Sequence, residues 1–189
     1  MTQSNIFDIH LVLGYVAWLL AFGTYIWPRL RAMEPVAAQR AIATLHSFRF
    51  FGLVFILPGV VGALPSTFAK FAAWGDFATG VLAIAALLTI RRRPLFWLFV
   101  AGFNVVGVAD LLVDYYNATR LGLADVAGQL GTTYAIPIIY VPILMITHVA
   151  AFILLARWRT NLSEDGAARE LKSASPHDRG KFRSARGSL

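Results

Sequence analysis

The chain has 189 residues, 58 % of them hydrophobic, with a mean hydropathy of +0.63 and a formal net charge of +7. This is more apolar surface than a soluble domain of its size can hide, so the composition points to a polytopic, all-α membrane protein. The absence of cysteine excludes disulfides, thiolate chemistry and Cys-ligated zinc or iron–sulfur centres, and because the basic residues flank apolar runs, no nucleic-acid partner is expected.

The opening stretch MTQSNIFDIH carries no Lys or Arg, so the apolar run behind it lacks the basic start of a secretory signal. It reads as a retained first helix over residues 6–27 with its N-terminus outside. Tyr25 and Trp27 suit an inner aromatic belt, Pro28 is expected to end the helix, and a cytoplasmic connection follows. A second helix is expected over residues 41–63, or over 50–68 if His46 and Arg49 stay at the interface; either supplies the ~20 residues that cross ~30 Å. Leu64-Pro65-Ser66 then turns the chain into a third helix over 71–90, which stops at Arg91-Arg92-Arg93-Pro94. The fourth, over 95–113, carries Asn104 and Asp110, with Asp114 at its outer end.

Residues 115–134 form an outer loop long enough to fold over the helix ends. The fifth helix, 135–156, holds Pro137 and Pro142, which predict a locally opened backbone, and His148 in its inner half. Residues 1–156 thus make a five-helix transmembrane domain, and residues 157–189 a basic, disordered cytoplasmic tail. In this topology only Lys70 and Arg120 of the 17 basic residues lie outside. The asymmetry predicts an outside N-terminus, a cytoplasmic C-terminus and, for a bacterial chain, the inner membrane.

Ionisable residues inside a membrane are costly and are functional candidates by default. Counted by helical rise, His10, Asp76, Asp110 and Asp114 fall in an outer layer, with Asp8 just above. His46, Arg49 and His148 fall in an inner layer, and Asn104 lies near the middle. The outer carboxylates suit a proton or cation site, with Asp76 and Asp110 as candidate catalytic groups. No metal-ligand spacing accompanies them. In the inner layer, Arg49 is a candidate anion clamp, His46 or His148 a candidate acid or base, and Asn104 an orienting group for a small lipophilic or anionic ligand. The two histidines would alternatively be axial ligands of one haem b, with Arg49 near a propionate. In the plainest reading, Arg49 snorkels and each histidine makes one interhelical hydrogen bond.

The pattern His46-x-x-Arg49-x-x-Gly52, Leu64-Pro65-x-x-Phe68-Ala69, Gly75-Asp76-x-x-x-Gly80, followed by Asn104 and Asp110, resembles small uncharacterised bacterial integral membrane proteins of about five helices. The resemblance spans residues 45–110 and implies the fold and a multi-pass inner-membrane location, without an activity. Three functions follow from the residues: a ligand-binding membrane protein with proton-transfer chemistry, a small haem cytochrome, or a non-enzymatic subunit of a membrane complex or homo-oligomer.

Overall fold

The computed structural model describes residues 1–174, with side chains as far as Trp158, and every regular element among these residues is helical. Residues 1–152 form one compact unit, which holds every site described below; a second unit begins at Ile153. Four helices are long and apolar enough to cross a membrane: Gln3–Ala32, Ser66–Leu88, Arg93–Arg120 and Ile136–Trp158.

The first, α1 (Gln3–Ala32), does not end at Pro28 as expected. A π turn at Phe22–Ile26 widens the helix just before the proline, so the chain absorbs the missing N–H and continues, with Arg29 donating to the Tyr25 carbonyl at 3.0 Å.

The second expected helix departs most from the reading of 41–63. A helix α2 (Pro35–His46) passes into a 3₁₀ helix over Ser47–Ile56 and then leaves helical geometry. This element is therefore not one continuous apolar α-helix, and the long apolar helices number four instead of five. The stop is local chemistry. Pro58 forces Leu57 into extended backbone (ψ 119°), and Gly59 adopts φ +79°. The Val60 N–H closes onto the Leu57 carbonyl at 3.3 Å. Proline then left-handed glycine at the centre of such a turn is the type II signature.

The 3₁₀ helix has a three-residue period, and its buried residues are Arg49, Gly52 and Phe55, with buried His46 one step earlier. It lies against α3 (Ser66–Leu88), where Gly80 removes a side chain that would press on the backbone of Arg49 and Phe50. Helix α3 starts at Ser66, five residues before the expected start, and α4 (Arg93–Arg120) runs seven residues past its expected end.

The segment after α4 folds as expected over the helix ends. Leu123, Ala127 and Leu130 are buried with Phe7, Phe55, Phe68 and Ile136. Gln129 ties this cap to the turn after the 3₁₀ helix, its backbone carbonyl accepting from Gly62 N–H at 2.7 Å and its side chain from Ala63 N–H at 3.1 Å.

The opened backbone expected from Pro137 and Pro142 is a π turn at Ile136–Tyr140, leading into α5 (Val141–Ala174). Helix α1 covers the carbonyls this turn exposes. Gly14 sits against the Ile138 carbonyl and Trp18 Nε1 donates to the Ile139 carbonyl at 2.8 Å. Beyond residue 156, where an irregular tail is expected, α5 continues to Ala174 through a stretch in which the helix formers Ala, Arg, Glu and Leu make up ten of 18 residues. Residues 175–189 of the expected tail, His177 among them, lie outside the described residues.

Candidate functional site

Of the polar residues sorted by sequence into two layers, Asp76, Asp110, Arg49, His148 and Asn104 meet in one network, with His46 against His148. The reason is the element boundaries. Because α3 begins at Ser66 and α4 ends at Arg120, Asp76 and Asp110 each lie about 15 Å of helical rise from the nearer end, deep in the bundle. Arg49, projecting from the 3₁₀ helix, is fully buried, and its guanidinium bridges the two acids. Nε donates to Asp76 Oδ1 at 2.6 Å and Nη2 to Asp110 Oδ2 at 2.5 Å. Nη1 donates to the Gly107 carbonyl and to His148 Nε2, both at 3.3 Å. Arg49 therefore does not snorkel towards an interface.

Glycines make this density attainable. A Cβ at Gly52 would overlap the Asp76 carboxylate, one at Gly75 the Asp110 carboxylate, and one at Gly107 the His148 ring and the Arg49 guanidinium. The structure thus puts charged groups in the space that Gly75 and Gly107 leave.

Hydrogen bonding fixes both histidine tautomers. A guanidinium only donates, so His148 Nε2 accepts and its Nδ1 carries the proton, which is donated to Asn104 Oδ1 at 3.0 Å. Asn104 Nδ2 in turn donates to the Val100 carbonyl at 2.8 Å. Thr147 directs its hydroxyl hydrogen at the Ile143 and Leu144 carbonyls, at 2.7 and 3.0 Å, so it accepts from His46 Nε2–H at 3.0 Å. His46 Nδ1 is then a bare lone pair. The two imidazoles touch, with ring centroids 4.0 Å apart. A haem held between axial histidines needs a macrocycle and its iron between the rings. This contact leaves no such space, and His148 Nε2 is already engaged by Arg49.

The network borders a cavity of about 330 Å³ between the start of α1, the ends of α3 and α4, the cap and the π turn. Its walls are largely apolar, including Phe7, Leu11, Phe55, Phe68 and Leu111, and the ionisable groups on it are Asp8, Asp76, Asp114, Asp125 and Tyr115. No Lys, Arg or His among the described residues lines it. Asp76 belongs to both places: Oδ1 holds Arg49, while the carboxylate also lines the cavity. Asp114, one helical turn beyond Asp110, has a buried Oδ1 with no hydrogen-bond partner among the described residues. His10 stays apart from the network and bonds the Tyr134 hydroxyl at 3.0 Å.

Sequence reasoning missed Thr147 and Gln39, which hold α2 against α5. Gln39 Nε2 donates to the Ala151 carbonyl at 3.0 Å. The signal was available, since Gln39 and His46 are seven residues apart and share one face of a helix. The described residues contain no cluster of three or more metal-ligating side chains. Residues 6–156 match the model of a family described as a domain of unknown function (DUF8737). No curated protein matches the chain, and no solved structure does.

Proposed function

The chain belongs to the DUF8737 family, and we propose that it is a multi-pass protein of the bacterial inner membrane that binds a small lipophilic molecule with a cationic or hydrogen-bond-donating head group. The carrying observation is the cavity, whose apolar walls end in the carboxylates of Asp76 and Asp114, with no basic residue among the described residues of its lining. Its volume suits a small ligand. Asp114 offers a buried acceptor without a partner, and Asp76 is a second acceptor on the wall. An anionic ligand is the weaker choice: all three nitrogens of Arg49 already donate within the network, and the cavity would present an anion with carboxylates.

In this reading the chain crosses the membrane five times, from an outside N-terminus to a cytoplasmic C-terminus. The second crossing is α2 with the 3₁₀ helix. Twelve α residues and ten 3₁₀ residues rise about 18 and 20 Å, enough for the ~30 Å hydrocarbon core. The exposed side chains of Phe48, Phe50, Phe51 and Ile56 suit a lipid-facing surface.

The test compares decylamine, decanol and decanoate as ligands of the purified protein, by thermal shift and native mass spectrometry. The amine and the alcohol are expected to bind and stabilise, and Asp114→Asn to weaken the amine at least tenfold. Decanoate binding as tightly as decylamine would overturn the reading.

A further inference from the structure

Among the described residues, four buried side-chain atoms have no hydrogen-bond partner: Gln39 Oε1, His46 Nδ1, Asp110 Oδ1 and Asp114 Oδ1. As the tautomers are fixed above, all four are acceptors. Burying an acceptor without a donor is unfavourable, so four of them are an expensive coincidence if they have no use.

They also lie in sequence along one seam. Asp114 and Asp110 stand one turn apart on α4, and Arg49 joins Asp110 to His148. His148 touches His46 ring to ring, and Gln39 lies two turns further along α2 on the face that bonds α5. Asn104 to Asp114 rises about 15 Å and Gln39 to His46 about 10 Å. Together these approach the ~30 Å of a hydrocarbon core.

We propose that this seam is a proton path across the membrane, with Arg49 as its gate. The path consists of groups that accept a proton from a neighbour and pass one on. On the cavity side these are Asp114 and Asp110. On the far side His148 Nε2 and His46 Nδ1 supply lone pairs, and as His46 takes a proton at Nδ1 it releases the one on Nε2 to water that enters between Thr147 and the unpartnered Gln39 Oε1. Between the halves stands a guanidinium, which does not give up its proton. Nη1 occupies the His148 lone pair, so the path is closed as it stands. When Asp110 takes a proton at Oδ1, its pair with Nη2 loses its charge and Arg49 retains only Asp76 as a charged partner. The guanidinium then moves towards Asp76, His148 Nε2 is freed, and the proton passes from Asp110 to it. His148 then passes a proton to His46 Nδ1, His46 releases the one on Nε2 to water, its ring turns over to restore the starting tautomer, and Arg49 returns to Asp110 and His148, so that each turn takes one proton in at Asp114 and lets one out past Gln39.

Other ionisable side chains beside the seam are few. Tyr15 and Tyr115 bond each other at 2.5 Å, and the Tyr140 hydroxyl donates to the Leu45 carbonyl at 3.4 Å. Asp76 remains the fixed counter-ion.

The proposal rests on the membrane crossings read above and shares Asp114 with the cavity site, and its test separates the two. The full chain is reconstituted into phosphatidylcholine–phosphatidylglycerol vesicles holding pyranine, and a potassium gradient with valinomycin sets the potential. Wild-type vesicles are expected to change internal pH faster than protein-free vesicles. Asp114→Asn, at the cavity end, and Gln39→Leu, which touches no cavity wall, should each lower that rate at least tenfold. His46→Phe provides a third block if either variant fails to fold. Decylamine binding should be unchanged in Gln39→Leu. A wild-type rate equal to that of empty vesicles overturns the proposal, as does wild-type flux in all folded blocking variants.

Discussion

Arg49 has no exposed surface and two carboxylates that depend on it. Removing one member of a buried ion network leaves the rest uncompensated, at a cost of about 3–5 kcal/mol. Arg49→Ala is therefore expected to fall to low levels and melt early in detergent. Arg49→Lys should recover little, because one ammonium cannot serve two carboxylates from separate nitrogens of a rigid fork. The glycines give a sharper test within a single substitution type. Gly75→Ala drives a methyl group into the Asp110 carboxylate and should cost about 1–3 kcal/mol. Gly102→Ala meets only Leu82 at ordinary contact distance and should be neutral or stabilising by up to ~1 kcal/mol. Thermal melts of the pair in one detergent check both signs.

At the scale of elements, the 3₁₀ helix decides what could be read from sequence and what could not. Helices α1, α3, α4 and α5 announce themselves as long apolar runs, and Arg49, Asp76, Asp110, Asn104 and both histidines stand out because such residues are rare there. Their meeting was not legible, because it depends on where α3 and α4 begin and end, and boundaries are weakly encoded. The segment between α1 and α3 was misread because it was taken, by length and apolar content, for one continuous α-helix. His46, Arg49, Gly52 and Phe55 recur every three residues, the period of the 3₁₀ form, and Pro58-Gly59 marks its end. Gly80→Ala tests the close approach of this element. Its Cβ would lie 2.9 Å from the Phe50 backbone nitrogen, and backbone yields less readily than a side-chain tip. A loss of about 1–3 kcal/mol is expected, with faster amide exchange confined to residues 47–56 by mass spectrometry.

For the molecule as a whole, the question is whether the segment between α1 and α3 crosses the membrane. The chain has no cysteine, so single introduced cysteines are unambiguous reporters. Met33 and Thr67 flank the segment and are both exposed. In intact spheroplasts a membrane-impermeant maleimide is expected to label Thr67→Cys and to spare Met33→Cys until the membrane is opened. Equal behaviour of the two would place both on one side and reduce the crossings to four.

The spacing of the ion network along the chain also bears on how it is made. Asp76 follows Arg49 by 27 residues, Asp110 by 61 and His148 by 99. An arginine alone in lipid is costly, yet during synthesis the first carboxylate arrives with the very next helix. The segment holding Arg49 can therefore enter the bilayer as one half of a hairpin whose charges already cancel, with Asp110 and His148 added as later helices emerge. A nascent chain stopped before Asp76 should leave its second segment outside the membrane, and one extended through Leu88 should bring it in.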